Sequence, residues 1–190
     1  MRIRHTALIL SILSVFALGA CGSSQPSDTS AVAGEQTKAF APAAQDGHYH
    51  AELVLAGQPA VTADGKDIVV TVNVSNDGVG AFGSATEPHN VNLGAHAVDA
   101  TGNVVINDLA RGHLPQIASG ATEKASILLP VSQALSLRVE LLPVQEGVNW
   151  FDAWGTKPLV VGPFNVCSDA AVGQVCDASG KPLRAAPVQP

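Results

Sequence analysis

The run from 144 to 154 contains the residues best suited to bind a ligand. Trp150, Phe151 and Trp154 follow a turn, and aromatic faces can stack on the apolar C–H faces of sugar rings. Polar side chains of the preceding turn could hydrogen-bond sugar hydroxyls: Gln145, Glu146 and Asn149. The same aromatics could instead plug one end of a hydrophobic core, since the chain has only five Phe, two Trp and one Tyr. Both interpretations stay open, and the second is favoured for at least one tryptophan.

Arg111 is a candidate for binding an anionic ligand group. Its planar guanidinium can form paired hydrogen bonds with a carboxylate or a phosphate. Asp108 and Glu146 are alternative partners within the chain, and such a pair would fix the loop that carries Arg111. The sequence favours internal pairing and leaves the ligand role open.

The histidines offer only a weak metal pattern. His48 and His50 would lie on one face of a β-strand, a spacing found in copper and zinc sites. Further ligands could come from three other histidines: His89, His96 and His113. Because no Cys, Met or carboxylate pattern completes a ligand set, we predict surface histidines and no metal.

No catalytic motif is present in the sequence. The chain lacks Gly-x-Ser-x-Gly, a phosphate-binding glycine loop and His-Glu-x-x-His. The spacing of the Asp and Glu residues selects no hydrolytic pair. The sequence therefore predicts a protein that is not an enzyme and uses no cofactor.

These candidate residues must be positioned by β-strands. The run from 67 to 75 alternates apolar and polar residues, which is typical of a strand with one buried and one solvated face. The same alternation predicts a central strand that begins at Leu135. A helix is the weaker interpretation there, because Pro130 and Pro143 bracket the run. The other predicted strands are 48–55, with 58–62 as its possible continuation, 91–98, 104–106, 121–129 and 159–164. Residues 107–120 are predicted to be irregular.

About seven short strands at intervals of roughly 10 to 15 residues predict an all-β fold. We expect a single immunoglobulin-like β-sandwich over 48–165, followed by a C-terminal tail over 166–190. Cys167 and Cys176 predict a disulfide in this tail. The third cysteine of the chain, Cys21, belongs to an N-terminal export signal, and the two cysteines that remain in an exported protein are expected to pair. A redox or metal pair is the weaker alternative, because Cys-x-x-Cys spacing is absent. Residues 177–190 are predicted to be disordered.

The first 21 residues have the pattern of an exported bacterial lipoprotein. Arg2 and Arg4 precede an apolar stretch that is shorter than the roughly 20 residues of a membrane span. Leu18-Gly19-Ala20-Cys21 resembles the lipobox, which implies a signal peptide over 1–20, and palmitate or similar acyl chains on Cys21. The alternative is an ordinary signal peptide with a chance cysteine. By the same resemblance, Gly22 favours the outer membrane, with the periplasmic and surface sides both open.

Residues 21–47 predict a flexible tether. The segment is rich in Ser, Gln, Pro, Ala, Thr and Gly and has no apolar periodicity. Without residues 1–20 the chain loses Arg2 and Arg4, which leaves 8 basic against 16 acidic residues and a net charge of −8. This acidic balance makes nucleic acid an unsuitable partner.

The segment from about 90 to 155 resembles a known family. It is similar to the immunoglobulin-like sandwich at the C-terminus of the ATPase of O-antigen-exporting ABC transporters, which is also attached to some bacterial glycosyltransferases. The residues that carry the resemblance are Asn92-Leu93-Gly94-Ala95-His96, the run 99–105, Arg111 with Leu114-Pro115, and 144–151. In those relatives the domain is associated with recognising polysaccharide.

The sequence therefore predicts an outer-membrane lipoprotein with a noncatalytic module that recognises cell-envelope polysaccharide. The predicted glycan-binding residues are Trp150, Phe151, Trp154, Gln145, Glu146, Asn149 and Arg111. The alternative is a structural accessory lipoprotein that docks on another envelope protein or on a secretion or assembly complex, for instance by strand addition at a sheet edge.

Overall fold

The computed structural model describes residues 48–86, 90–168 and 174–187. The predicted signal peptide and the predicted tether with Cys21 lie outside the described residues. Within the described ranges, no helix has the length and apolar character needed to cross a membrane.

The described chain consists mainly of short β-strands joined by turns. The strands are β1 (Ala51–Leu55), β2 (Ala60–Val61), β3 (Asp67–Asn76), β4 (Val91–Val98), β5 (Val104–Gly112), β6 (Thr122–Pro130), β7 (Arg138–Gln145), β8 (Asn149–Trp150), β9 (Leu159–Val161), β10 (Asn165–Val166), β11 (Val175–Cys176) and β12 (Arg184–Ala185). The short helices are α1 (Val131–Ala134) and a 3-10 turn (Phe151–Trp154).

The first sheet is built around β3. This strand pairs antiparallel with β6 along one side and with β1 and then β2 along the other, and β12 adds to β2 in parallel. The predicted alternation is confirmed, because Ile68, Val70, Val72 and Val74 are 0% exposed while the residues between them are partly exposed. Inward β-branched side chains therefore form one wall of the core.

The second sheet is built around β7, the predicted central strand. It pairs with β4 on one side and with β8 and β9 on the other, and β5 forms the edge beside β4. The strand begins at Arg138 rather than at Leu135, because α1 and a left-handed Ser136 (φ 65°) turn the chain first. Pro143 lies inside the strand, between the residues that pair with β9 and those that pair with β8, so its missing N–H interrupts neither pairing.

The two sheets face each other across one hydrophobic core, which confirms the predicted all-β sandwich. Leu93 and Leu141 of the second sheet join the inward residues of β3 in this core. One end of the core is closed by three aromatic residues at low exposure: Tyr49, Phe82 and Phe151. The centres of these three rings lie 5.1 to 5.8 Å apart, so they pack against one another.

The predicted disulfide is confirmed. Cys167 and Cys176 are joined with a Cα–Cα distance of 5.2 Å, at the hairpin of β10 and β11. The prediction of disorder from residue 177 onward is wrong for 177–187. There Leu183 is 9% exposed and donates its N–H to the Val175 carbonyl (2.9 Å), and Ala186 donates to a carbonyl of β2. Residues 188–190 lie outside the described ranges.

Candidate functional site

Trp150 lies on the outer face of the second sheet, where it covers the backbone of β4. It pairs with Val144 of β7, and its ring reaches across to Gly94. A Cβ atom at position 94 would lie 2.5 Å from Cζ3 of Trp150, so only glycine lets the ring come this close to the strand. Trp150 as a whole residue is partly exposed. Sequence reasoning did not single out Gly94, although it stands in the motif that carried the family resemblance.

Two further side chains hold the Trp150 ring. The guanidinium carbon of Arg111 lies 4.6 Å from the ring centre, which is a cation–π contact. The imidazole of His96 lies 3.6 Å from it, centre to centre. His96 is 6% exposed, and its Nδ1 lies 2.6 Å from the carbonyl oxygen of Asn107. Because a carbonyl only accepts, Nδ1 carries the proton in this contact.

Arg111 forms ion pairs with both of the partners that the sequence suggested. Its Nε donates to Oε1 of Glu146 at 3.0 Å, and its Nη1 donates to Oδ1 of Asp108. The predicted internal pairing is therefore confirmed. The side chains of Arg111 and Glu146 are 29% and 33% exposed and that of Asp108 is 60% exposed, so solvent still reaches all three.

A bulge in β5 brings Asp108 to this place. The segment predicted to be irregular belongs to β5 as far as Gly112, and Gly94 pairs with Arg111. Between the pairs Ala95 with Ala110 and Ala97 with Ile106, three residues of β5 face one residue of β4. Such bulges re-aim side chains, and here the bulge presents the Asp108 carboxylate to Arg111 and a carbonyl to His96.

A chain of hydrogen bonds behind the ion pair fixes Glu146. Its Oε1 also accepts from Nδ2 of Asn92 at 2.8 Å, and Oδ1 of Asn92 accepts from Oγ of Ser84 at 2.6 Å. Oγ of Ser84 in turn accepts from the backbone N–H of Leu114 at 2.8 Å. Sequence reasoning missed Ser84 as a positioning residue, since a lone serine in a Gly- and Ala-rich loop carries no pattern.

Phe151 and Trp154 do not join Trp150. Phe151 is 0% exposed, stacks on Tyr49 at 5.6 Å and meets Phe82 edge-on at 5.1 Å between ring centres. Trp154 packs on Phe151 at 5.3 Å and is partly exposed. Both residues therefore close the end of the hydrophobic core, as the second interpretation of the aromatic run predicts. The prediction that Phe151 contacts a ligand is wrong, because its ring is buried.

Gln145 and Asn149, the two polar side chains beside the turn, also differ in their exposure to solvent. Gln145 is 4% exposed, and its Oε1 is buried with no hydrogen-bond partner among the described residues. The prediction that Gln145 binds a ligand is therefore wrong. Asn149 is exposed, and its Oδ1 accepts from the N–H of Trp150 at 3.0 Å, which leaves its amide nitrogen turned to solvent. Asn149 pairs with Gln145 and Trp150 pairs with Val144, so by alternation the Asn149 side chain lies on the opposite face of the sheet from Trp150. We call the set that remains the Trp150 face: Trp150, Arg111, His96, Asp108 and Glu146.

The other described histidines do not gather around a common point. His50 lies 3.5 Å from the carboxylate of Asp77, and His48 packs against the ring of Tyr49. No cluster of three or more His, Cys, Asp or Glu residues suited to a metal ion occurs within 48–86, 90–168 and 174–187. His89 lies outside those ranges.

Comparison of the chain with protein-family models, with curated proteins and with solved structures finds no match.

Proposed function

We propose that this protein is a lipid-anchored, noncatalytic binding module of the bacterial cell envelope. Its outer-membrane anchor is Cys21, and the Trp150 face recognises cell-envelope polysaccharide. The observation that carries the proposal is Trp150, a partly exposed residue whose ring is held against Gly94 by Arg111 and His96.

A fixed aromatic ring suits a sugar ligand. Sugar rings present apolar C–H faces, and stacking them on an indole removes apolar surface from water without any need to desolvate hydroxyls. A ring that is already held in place loses little conformational freedom on binding, so more of the contact energy appears as affinity. The contacts of Trp150 with the sheet therefore support a preorganised binding surface.

The rim of the Trp150 face supplies hydrogen-bonding groups for sugar hydroxyls. Asp108 and Glu146 each use one carboxylate oxygen for Arg111, and the second oxygen of each has no partner among the described residues. An apolar plane with polar groups around it is the usual composition of a site for a hydroxyl-rich ligand.

Tryptophan fluorescence tests the proposal with the purified mature chain. The Trp154→Phe variant keeps Trp150 as the sole tryptophan, because the chain has two. Titrated with lipopolysaccharide-derived polysaccharide of the source bacterium, this variant should show a saturable emission shift. The matched Trp150→Phe variant, which reports only on the core-packed Trp154, should show none. An unchanged emission in the Trp154→Phe variant, with no heat of binding by calorimetry, would refute glycan recognition at this face.

A second candidate function is docking on another envelope protein by strand addition, and the edge formed by β1 favours it. The backbone N–H of Ala56 donates to the Thr71 carbonyl of β3 at 2.9 Å. Backbone groups alternate in direction along a strand, so the N–H and C=O groups of Leu53 and Leu55 face away from β3. Val54 and Leu55 are 47% and 40% exposed beside that edge. Such an edge can accept an extended segment of a partner.

The edge is tested with a photo-crosslinking residue at Val54, compared with one at Leu128, which is 51% exposed on the opposite edge strand β6. Docking at β1 requires one discrete adduct at position 54 and none at 128. Leu55→Pro removes only an outward N–H, so it should abolish that adduct and leave the fold intact. Equal adducts at both positions, or an adduct insensitive to Leu55→Pro, would contradict strand addition.

A further inference from the structure

The charges of the Trp150 face indicate which glycans it can accept. Arg111 is its cation, and two carboxylates already hold that cation: Glu146 at Nε, 3.0 Å away, and Asp108 at Nη1. One guanidinium against two carboxylates leaves the face with a net negative charge. Arg111 is therefore engaged within the protein rather than presented to an anionic ligand.

The described surroundings of the face add one carboxylate and one guanidinium, so they do not offset its negative charge. On the same outer side of β7, Glu140 stands opposite His96 in register. Arg138, farther along the strand, directs Nη2 to the carbonyl oxygen of Asp99 at 3.1 Å. Carboxylates thus outnumber guanidinium groups on the described part of this sheet face, in line with the acidic balance of the whole chain.

We propose that the Trp150 face selects glycan segments that offer hydroxyl or ammonium donors and carry no carboxylate or phosphate. This inference rests on the proposed function, since it names the ligand class of the same surface. The free oxygens of Asp108 and Glu146 accept from hydroxyls and attract an ammonium group. A uronate or phosphate placed over Trp150 would meet these two carboxylates as well as Arg111, whose single charge they already outnumber. Like charges at an interface oppose binding.

A matched series of oligosaccharides tests the selection with the purified mature chain. The probes are β-1,4-linked hexasaccharides of glucose, of glucosamine and of glucuronic acid, which share a linkage and differ in the charge of the sugar. Calorimetry at low salt should give tightest binding for glucosamine, then glucose. Glucuronate should bind on the order of tenfold or more weakly than glucose, as a like-charge contact predicts. Added salt should weaken the glucosamine complex and leave the glucose complex unchanged.

Two double variants separate the local charges from the overall charge. Asp108→Asn with Glu146→Gln frees Arg111, so glucuronate should gain affinity and glucosamine should lose it. Glu52→Gln with Glu123→Gln removes the same number of charges from exposed positions of the first sheet and should leave the order of affinities unchanged. Circular dichroism and urea unfolding establish that both variants are folded.

Three results would overturn the inference. Glucuronate binding as tightly as glucose would show that the face does not select by charge, and a selectivity unaffected by the Asp108 and Glu146 variants would place its origin elsewhere. Absence of binding for all three probes, in the wild type and in both variants, would also refute the inference. The proposed function is judged separately by the titration with the native polysaccharide, so it can stand when this inference fails.

Discussion

The Gly94→Ala substitution tests whether Trp150 is held against the sheet as the structure describes. The new methyl carbon would lie 2.5 Å from Cζ3 and 2.6 Å from Cη2 of Trp150, and 3.1 Å from Nη1 of Arg111. Carbon atoms in contact prefer about 3.5 to 4.0 Å, so the indole must move outward by roughly 1 Å or more. Overpacking of this kind costs about 1 to 3 kcal/mol of the free energy of unfolding.

The displacement should be visible in two measurements. Urea unfolding gives the loss of stability, and the emission of Trp150 in the Trp154→Phe background should shift to the red as the ring becomes more exposed. Gly57→Ala is the matched control, because position 57 has open space around it and no left-handed backbone. There the change in stability should stay within about 0.5 to 1 kcal/mol.

A double-mutant cycle assigns the cost to the tryptophan. If the clash is with the indole, Gly94→Ala should cost much less in a Trp150→Ala protein, with a coupling energy of about 0.5 to 3 kcal/mol. The reasoning is refuted if Gly94→Ala behaves like Gly57→Ala in both assays, or if its cost is the same with and without Trp150.

Three further predictions concern the stability of the fold away from the Trp150 face. The Cys167→Ser protein should lose about 2.5 to 3 kcal/mol of stability in urea, the chain-entropy value for a loop of about ten residues, and a reductant should reduce the wild type to the same level. Asn76→Ala should cost about 2 to 4 kcal/mol, because its buried carboxamide bonds Gly78, Gly80 and Ile117, whereas Asn73→Ala on the solvated side of β3 should change little. Hydrogen bonds from Thr101 and Asn103 lower the pKa of Asp99 from 3.8 to about 2, so this carboxylate stabilises the fold above pH 3.8 and that contribution is lost as the pH falls through 2. Carbon-13 NMR titration should find the low pKa, and Thr101→Ala should raise it.

The strands with sustained alternation are predictable from the sequence. For β4 the predicted bounds and the observed bounds agree, and for β3 they differ by one residue. Period-2 burial is a local property, so a local pattern specifies it. The start of β7 is not predictable in this way, since the alternation continues through Leu135 although the left-handed Ser136 turns the backbone. Because the apolar and polar residues continue to alternate across this turn, the sequence pattern does not reveal it.

In the candidate site, only the contacts that follow from residue type alone were predictable from the sequence. An arginine near two carboxylates favours ion pairs, and both pairs of Arg111 form. The contact between Arg111 and Glu146 spans 35 residues and depends on the neighbouring positions of β5, β4 and β7. The bulge in β5 and the close approach at Gly94 depend on the same pairing. These features follow from tertiary register, which no local pattern encodes.

Neighbouring residues Trp150 and Phe151 have opposite roles because successive side chains of an extended backbone point to opposite faces of the sheet. Trp150 is extended (φ −82°, ψ 151°), and Phe151 begins a 3-10 turn, so one ring lies over the outer face while the next enters the aromatic end of the core. The Trp150 side chain is thus held by its contacts with Gly94, Arg111 and His96. Its backbone is held by the peptide bond to Phe151, which is 0% exposed. A surface aromatic anchored in this way cannot swing freely to meet a ligand. Under the proposed function, the Trp150 face should therefore bind its ligand with little rearrangement and at a low cost in conformational entropy. It should then discriminate among ligands by charge and shape rather than by adapting to them.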